Sequence, residues 1–491
     1  MLARLDHLVW LGVDALWLSP VFRSPMRDFG YDVSDYRDVD PVFGTLADLD
    51  LLILAAHGRG IRVVLDFVPN HTSSDHAWFR EARASRDAAT RDWYVWRDPA
   101  PDGGPPNDML AQFGGPAWTL DEHTGQYWFH SFLPEQPDLD WRNPRVREAM
   151  LDVIRYWFDR GVDGLRVDVV WMIAKDDWPW RDGPVGRGPG GGEDPRNALA
   201  HGDGPGIPDR LRELRDIADA YGDRVLIGEV YLPPDCLVRY YGEQGRGLHL
   251  PFNFALVTLP WDAHAIIAAI EAYEAALPPG AWPSWVLGNH DQSRIASRVG
   301  AAQARVAAML LLTLRGTPTL YYGDELGLPD VTVPPGRLVD VDGRDPERSP
   351  MPWDPGPWAG FSTAEPWLPV VPDATITVAA QREAPRSILS LYRRLLALRR
   401  LEPALQVGTW RMIPAPDGVI GYEREADGRT VLVVLNLTHQ AVRVRLGGRW
   451  VVRLATGLDR EGETIAAAAV ELRADEGLVL TRPDGPGGAV P

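Results

Sequence analysis

Ile61-Arg62-Val63-Val64-Leu65-Asp66-Phe67-Val68-Pro69-Asn70-His71 is the stretch on which the fold turns. A short, nearly unbroken apolar run ends on a carboxylate, and a histidine follows soon after. Apolar side chains at successive rather than alternate positions describe a strand buried on both faces, as in a parallel sheet. The same form returns at Val225-Leu226-Ile227-Gly228-Glu229, and two further segments close on Gly164-Leu165-Arg166-Val167-Asp168 and Asn289-His290-Asp291. In a parallel barrel, polar residues at the C-terminal ends of strands sit at the active face. Four strand ends therefore offer carboxylates and histidines to one pocket.

Working outward, the candidate strands are Asp14–Leu18, Ile61–Asp66, Gly164–Asp168, Val225–Glu229, Leu248–Phe252, Trp285–Asn289 and Thr319–Tyr322. They alternate with amphipathic helical stretches, so the class is α/β with a repeated βα unit, a (β/α)8 TIM barrel one strand short of closure. About a hundred residues between the second and third candidates exceed what a βα crossover needs. We expect catalytic-barrel segments at 1–71 and 146–403 and an inserted subdomain, rich in Trp, Asp and Pro, at 72–145. A glycine-rich insertion at 175–210 reads as a mobile loop. After a last barrel helix near Ser387–Arg400 the period changes to strand alternation, which predicts an antiparallel β-sandwich over 404–483 and a disordered tail at 484–491.

At 491 residues the chain is too long for one core, in keeping with a barrel plus a satellite domain. A net charge of −18 argues against nucleic acid or an anionic membrane as partner. Cys236 is the only cysteine, so no disulfide forms within the chain, which fits a reducing compartment. The start has no signal segment, and no run approaches the ~20 apolar residues of a membrane span. The expectation is a soluble cytoplasmic protein; its oligomeric state is not legible. Lys175 is the only lysine, and the wealth of Arg reads as GC-rich coding rather than as function.

Cleaving a sugar acetal takes one carboxylate at the anomeric carbon and one carboxylic acid to protonate the leaving oxygen. Asp168 and Glu229 are the pair best placed for this. Arg166 lies two residues before Asp168, on the same strand face, where its guanidinium would hold Asp168 ionised. Glu229, after an apolar strand and Gly228, would keep a proton through desolvation. Asp291 and His290 would meet sugar hydroxyls and favour the positively charged transition state. Taken singly, each residue has a plainer reading: a helix cap, a surface charge, or for Arg166–Asp168 a buried ion pair. It is their joint placement at successive strand ends that favours chemistry.

On the segments Asp66-Phe67-Val68-Pro69-Asn70-His71, Gly164-Leu165-Arg166-Val167-Asp168, Gly228-Glu229 and Asn289-His290-Asp291, the chain resembles the α-amylase superfamily of retaining α-glycoside hydrolases. Gly12-Val13-Asp14-Ala15-Leu16-Trp17-Leu18-Ser19-Pro20, Gln136-Pro137-Asp138-Leu139, Gly316-Thr317-Pro318 and Tyr322-Gly323-Asp324-Glu325 agree, and the second of these resembles the oligo-1,6-glucosidase-like branch rather than the starch-degrading amylases. The resemblance implies that Asp168 is the nucleophile, Glu229 the general acid/base and Asp291 the transition-state stabiliser. It places Asp66, His71, Arg166 and His290 around the sugar of subsite −1. Gly30-Tyr31-Asp32-Val33-Ser34-Asp35-Tyr36 is similar to exo-acting α-glucosidases, in which the residue matching Asp32 holds the terminal glucose with an Arg, here expected to be Arg348 from Arg344-Asp345-Pro346-Glu347-Arg348-Ser349-Pro350-Met351. A surface ion pair is the plainer reading of Asp32 and Arg348.

Family members open with a strand of the type Tyr-Gln-x-Tyr-Pro-x-Ser-Phe and an Asp-rich metal-binding loop. The chain is expected to begin inside the crossover that follows, through a start codon assigned too far downstream or a true truncation, the first being favoured. No metal and no cofactor are assigned. The expected activity is exo-acting, retaining α-glucosidase hydrolysis of a small oligosaccharide or α-glucoside. Glucosyl transfer, phosphorolysis or trehalose-forming isomerisation through the same glucosyl-enzyme is the alternative, and a non-catalytic carbohydrate-binding homologue is disfavoured by the retained carboxylates. Val169, directly after Asp168, goes with α-1,6 cleavage in related glucosidases, but the residues following it resemble a different bacterial group, so linkage stays open.

Overall fold

In the computed structural model, which describes residues 1–175, 196–466 and 468–483, the apolar run after Ile61 is a strand over Arg62–Phe67. It lies inside a parallel five-stranded sheet ordered Ala15–Leu18, Arg62–Phe67, Gly164–Val167, Val225–Gly228, Leu250–Pro251. The chain divides into two units: the first holds Met1–Val9, Val13–Phe252 and Ala276–Ala281, the second Trp10–Gly12, Asn253–Ala275 and the chain from Trp282. The expected mobile loop at 175–210 falls largely, and the expected tail at 484–491 wholly, outside the described residues.

The first unit's sheet explains why its strands read as continuous apolar runs. Val63, Leu65, Phe67, Leu165, Val167 and Leu226 are buried on one face and Val64, Asp66 and Arg166 on the other, so both faces of the sheet are covered there. Register then does the positioning. Asp66 pairs directly with Arg166, and Val167 with Gly228, which sets Asp168 and Glu229 at the adjoining strand exits. The ladder continues just past the strands: Asp168 N–H donates to Phe67 O at 2.9 Å and Glu229 N–H to Val167 O at 3.0 Å. Gly228 is required by close approach, since a Cβ there would stand 2.1 Å from Leu248.

Helices flank the sheet for ordinary reasons. Leu46–His57 starts in a Thr45/Asp48 capping box, and Pro144–Asp159 is capped by Asn143 and buries Val146, Met150, Val153, Ile154 and Trp157. Within the stretch 72–145 a three-stranded antiparallel sheet pairs Trp96–Arg97 and Trp118–Asp121 with the central Gln126–Phe129. Trp96, Trp118, Trp128 and Trp141 are buried, so these four rings are core.

The second unit carries a parallel pair, Ser284–Val286 with Thr317–Thr319, and an antiparallel six-stranded sheet beginning at Thr409–Met412. Val442–Arg445 and Ala469–Leu472 form a separate pair, and Val444, Val470 and Leu472 share one core with Leu432, Val434, Val452 and Leu480 of the larger sheet. That is the two-layer packing of a sandwich. Ile295–Thr313 is the one helix, among the described residues, long and apolar enough to cross a membrane. Every residue from Val306 to Thr313 is buried, so its apolarity belongs to packing inside the unit.

Trp358, Ala359 and Gly360 form a left-handed turn, with φ of 52°, 53° and 64°. For a residue with a Cβ this conformation costs about 1–2 kcal/mol. Ala359 O, accepting from Trp353 N–H at 2.8 Å and Asp354 N–H at 3.2 Å, ties the turn down.

Candidate active site

Arg166 is the centre of the first unit's polar cluster, and it is 1% exposed. Its Nη1 donates to Asp66 Oδ1 at 3.0 Å and to Asp168 Oδ1 at 2.6 Å, and its Nη2 lies 2.7 Å from Glu229 Oε2. Trp17 and Tyr31 bring their rings to 5.1 and 5.9 Å from the guanidinium carbon. Tyr31 Oη also donates to Asp66 Oδ2 at 2.9 Å. One cation thus serves three buried carboxylates.

That stoichiometry sets the protonation. Burial pushes Asp66 up to about 6, against the pull of Arg166 and Tyr31. Burial, and then the neighbouring Glu229 carboxylate, raise Asp168 well above the usual carboxylate range, with Arg166 opposing them. Arg166 opposes that rise, but the guanidinium expected to hold Asp168 ionised is divided among Asp66, Asp168 and Glu229. Asp168 Oδ1 and Glu229 Oε2 are held by its two terminal nitrogens, Nη1 at 2.6 Å and Nη2 at 2.7 Å.

The turn after Asp168 is strained. Val169 has φ 34° and ψ 46°, left-handed values that a β-branched residue rarely adopts. The strained peptide aims Val169 N–H at Glu229 Oε2, 3.0 Å away. Glu229 Oε2 therefore accepts from both Arg166 and Val169.

His71 is buried, and burial lowers its basicity. Its Nδ1 faces the Asn70 side-chain amide nitrogen at 3.2 Å, and its Nε2 faces both Tyr31 O at 3.1 Å and the Gln136 side-chain amide nitrogen at 3.2 Å. Asn70 is oriented by Lys175, a residue the sequence reading set aside. Lys175 Nζ, fully buried, donates to Asn70 Oδ1 at 2.7 Å and Met172 O at 2.8 Å, and stands 3.3 Å from Asp138 Oδ2. Being the chain's only lysine was the signal that it mattered.

Asp32 lies fully buried in the same unit and accepts from Ser24 Oγ at 2.8 Å, Arg27 N–H at 3.0 Å and Asp28 N–H at 3.1 Å. Burial raises it in spite of these donors.

In the second unit, His290, Asp291 and Arg348, the last expected as the partner of Asp32, come together. Arg348 Nε donates to His290 O at 2.8 Å and its Nη2 to Asp291 Oδ1 at 3.2 Å, while His290 Nε2 lies 3.5 Å from Asp291 Oδ2. Arg344 holds the same Asp291 oxygen at 3.1 Å and also binds Asp340 through Nη2 at 2.7 Å. Among the described residues no group of three or more His, Cys, Asp or Glu side chains is arranged to hold a metal ion.

Comparison with known proteins places this geometry. The alpha-amylase catalytic domain pattern matches residues 1–408. A probable alpha-glucosidase of Rhizobium meliloti is 39% identical over 90% of this chain and 85% of its own length. An oligo-1,6-glucosidase of Heyndrickxia coagulans is 35% identical over 89% of this chain and 87% of its own. Among solved structures, the alpha-glucosyl transfer enzyme XgtA superposes with a TM-score of 0.90 at 37% identity, covering 98% of this chain and 94% of its own. The trehalulose synthase MutB of Pseudomonas mesoacidophila also reaches 0.90, at 32% identity and the same coverage. With its strand-end carboxylates, its barrel and its C-terminal antiparallel sheets, the chain belongs to the alpha-amylase family and is a glycoside hydrolase.

Proposed function

We propose that the protein is an exo-acting α-glucosidase that cleaves terminal α-linked glucose from a short oligosaccharide or α-glucoside with retention of configuration. The observation that carries this reading is the Asp168–Glu229 pair, held by the two terminal nitrogens of one buried guanidinium, Arg166 Nη1 to Asp168 Oδ1 at 2.6 Å and Nη2 to Glu229 Oε2 at 2.7 Å. Carboxyls about 5 Å apart suit double displacement, whereas inversion needs roughly 6.5–9.5 Å to admit a water.

In this reading Asp168 attacks the anomeric carbon. Glu229 protonates the leaving oxygen and later takes a proton from water. Glu229 Oε2 is occupied by two donors, so Oε1 is the oxygen that exchanges the proton. Arg166 holds both carboxylates in place, and Asp66 and neutral His71 meet sugar hydroxyls. Asp291, His290 and Arg348 are assigned to transition-state stabilisation and sugar binding on the strength of the sequence motifs. Asp32 binds the terminal glucose.

Three experiments test this. Initial rates on maltose, isomaltose, sucrose, trehalose and kojibiose identify the linkage, and NMR of the first-formed product reads its anomer. β-Glucose as the first product would overturn retention. Asp32→Ala should depress every substrate with a terminal glucose; an unchanged rate on maltose with internal cleavage of starch would overturn the exo assignment.

Glucosyl transfer is a second reading, favoured by the likeness to XgtA and MutB. A second sugar or phosphate would then capture the glucosyl-enzyme in place of water. Product analysis with and without added acceptor sugar and phosphate separates the two.

A further inference from the structure

Leaving the sheet does not by itself call for left-handed backbone. The strands Arg62–Phe67 and Val225–Gly228 run out through residues 68–71 and 229–232 with no positive φ. The strand between them, Gly164–Val167, runs out through Asp168 into Val169 at φ 34°. A β-branched residue tolerates this conformation poorly, and glycine, which would adopt it freely, is not what the chain places there. Strain retained at a functional site is characteristically offset by what it positions.

The turn redirects one donor. Between Gly164–Val167 and Val225–Gly228 the ladder bonds fall at every second residue, Val225 N–H to Asp163 O at 3.1 Å and Glu229 N–H to Val167 O at 3.0 Å among them. Continued one step, the ladder would send Val169 N–H to the main-chain carbonyl of Glu229. The left-handed turn sends it instead to the side chain of that residue, 3.0 Å from Oε2. There it joins Arg166 Nη2, 2.7 Å from the same oxygen. A bond to a carboxylate is roughly twice as strong as the amide–carbonyl bond given up. Two donors on one oxygen also fix the rotation of the group. We propose that Val169 is a positioning residue for proton transfer: its peptide N–H, aimed by the left-handed turn, locks the Glu229 carboxyl with Oε1 as the oxygen that gives and takes the proton. In the first step the Oε1–H bond breaks as the leaving oxygen takes that proton and keeps the electron pair of the glycosidic bond. Val169 N–H and Arg166 stabilise the carboxylate left behind. In the second step water returns a proton to Oε1 as its oxygen bonds the anomeric carbon and Asp168 departs with its electron pair. The assignment is to the main-chain donor of Val169, not to its side chain. It rests on the reading of Glu229 as acid and base.

The experiment removes the donor and keeps the side chain. Val169 is replaced by its α-hydroxy acid through a suppressed amber codon, so that an ester oxygen stands where the N–H was. Rates are compared on 4-methoxyphenyl α-glucoside, whose leaving oxygen needs a proton, and on α-glucosyl fluoride, whose leaving group needs little protonation. With the ester, kcat on the aryl glucoside should fall about tenfold or more, and on the fluoride by less than about threefold, because only the first depends on a well-aimed acid. Val169→Gly keeps the N–H and accepts left-handed backbone. Its ratio of the two rates should stay at the parent's value, and its melting temperature should hold or rise. An ester variant with the parent's ratio would overturn the proposal. Equal losses on both substrates with a fallen melting temperature would do the same, since that is a packing role. A ratio shifted as far by Val169→Gly as by the ester would assign the effect to the side chain and also overturn it. Glu229→Gln, run alongside, separates this inference from the reading beneath it. If Glu229→Gln shifts the ratio and the ester does not, the proposal alone fails; if neither shifts it, Glu229 is not the proton donor, and the function reading and the proposal fall together.

Discussion

The two polar clusters differ in charge count, and the difference separates what each can do. Around Arg166 one guanidinium faces Asp66, Asp168 and Glu229. Around Asp291, two guanidinia, Arg344 and Arg348, face two carboxylates, Asp291 and Asp340. The first cluster is short of cations and relieves itself by retaining a proton, which is what an acid/base centre requires. The second sets two guanidinia against Asp291 and Asp340 and is suited to holding a carboxylate in place.

The sharpest way to break this contrast is Asp168→Asn. It removes the attacking oxygen, so turnover should fall by at least about 10⁴-fold while substrate still binds in equilibrium dialysis. Most of the activity surviving would dissolve the distinction between the clusters. Glu229→Gln should cost roughly 10²–10⁴-fold on maltose and much less on α-glucosyl fluoride, whose leaving group needs little protonation. Equal losses on the two would mean that Glu229 is not the proton donor.

Arg344→Met tests the balanced cluster. Leaving Asp340 and Asp291 with one guanidinium should destabilise the fold by about 3–5 kcal/mol, read by denaturant unfolding. A loss within error would show the pairing to be dispensable.

Glu325→Gln asks whether retained protons mark catalysis at all. Burial raises Glu325 to about 7 and Asp324 to about 6, yet neither is assigned a chemical role here. A carboxyl whose folded value lies above its unfolded one adds stability below the unfolded value and loses it as pH rises through the folded one. Between pH 4.5 and 7 Glu325 should therefore forfeit roughly 3 kcal/mol or less, and Glu325→Gln should flatten the fall in melting temperature across that window. An identical slope in parent and variant would mean that the burial of Glu325 carries no such linkage.

Much of this was legible in the sequence because fully buried parallel strands have a plain signature. All seven candidate strands have an observed counterpart, and those at Arg62–Phe67 and Val225–Gly228 fall within a residue of the expected bounds. The misplaced boundaries share a cause. Trp285–Asn289 was expected where Ser284–Val286 is observed, and Thr319–Tyr322 where Thr317–Thr319 is observed. The expected strands ran on into the polar residues of the active face, but there the chain leaves the ladder, as it does at Val169. The motifs supplied the carboxylates but not how they share charge. That Arg166 reaches Glu229 as well as Asp168, and that Arg344 rivals Arg348, depends on register and side-chain reach between strands far apart in sequence. Lys175 was overlooked because a buried cation between Asn70 and Asp138 leaves no periodic trace.

Lys175 also gives the protein a built-in reporter. As the chain's only lysine it is the only ε-amine, and it is buried. Amine-directed cross-linkers and acylating probes find no lysine on the surface of the folded protein. Acylation at Lys175 requires the contacts with Asn70, Met172 and Asp138 to open first. Where reclosing outpaces labelling, the rate of modification at this one atom measures the free energy of opening the segment behind His71. Mass spectrometry of a single peptide would then follow how a bound sugar tightens that segment, with no engineered label.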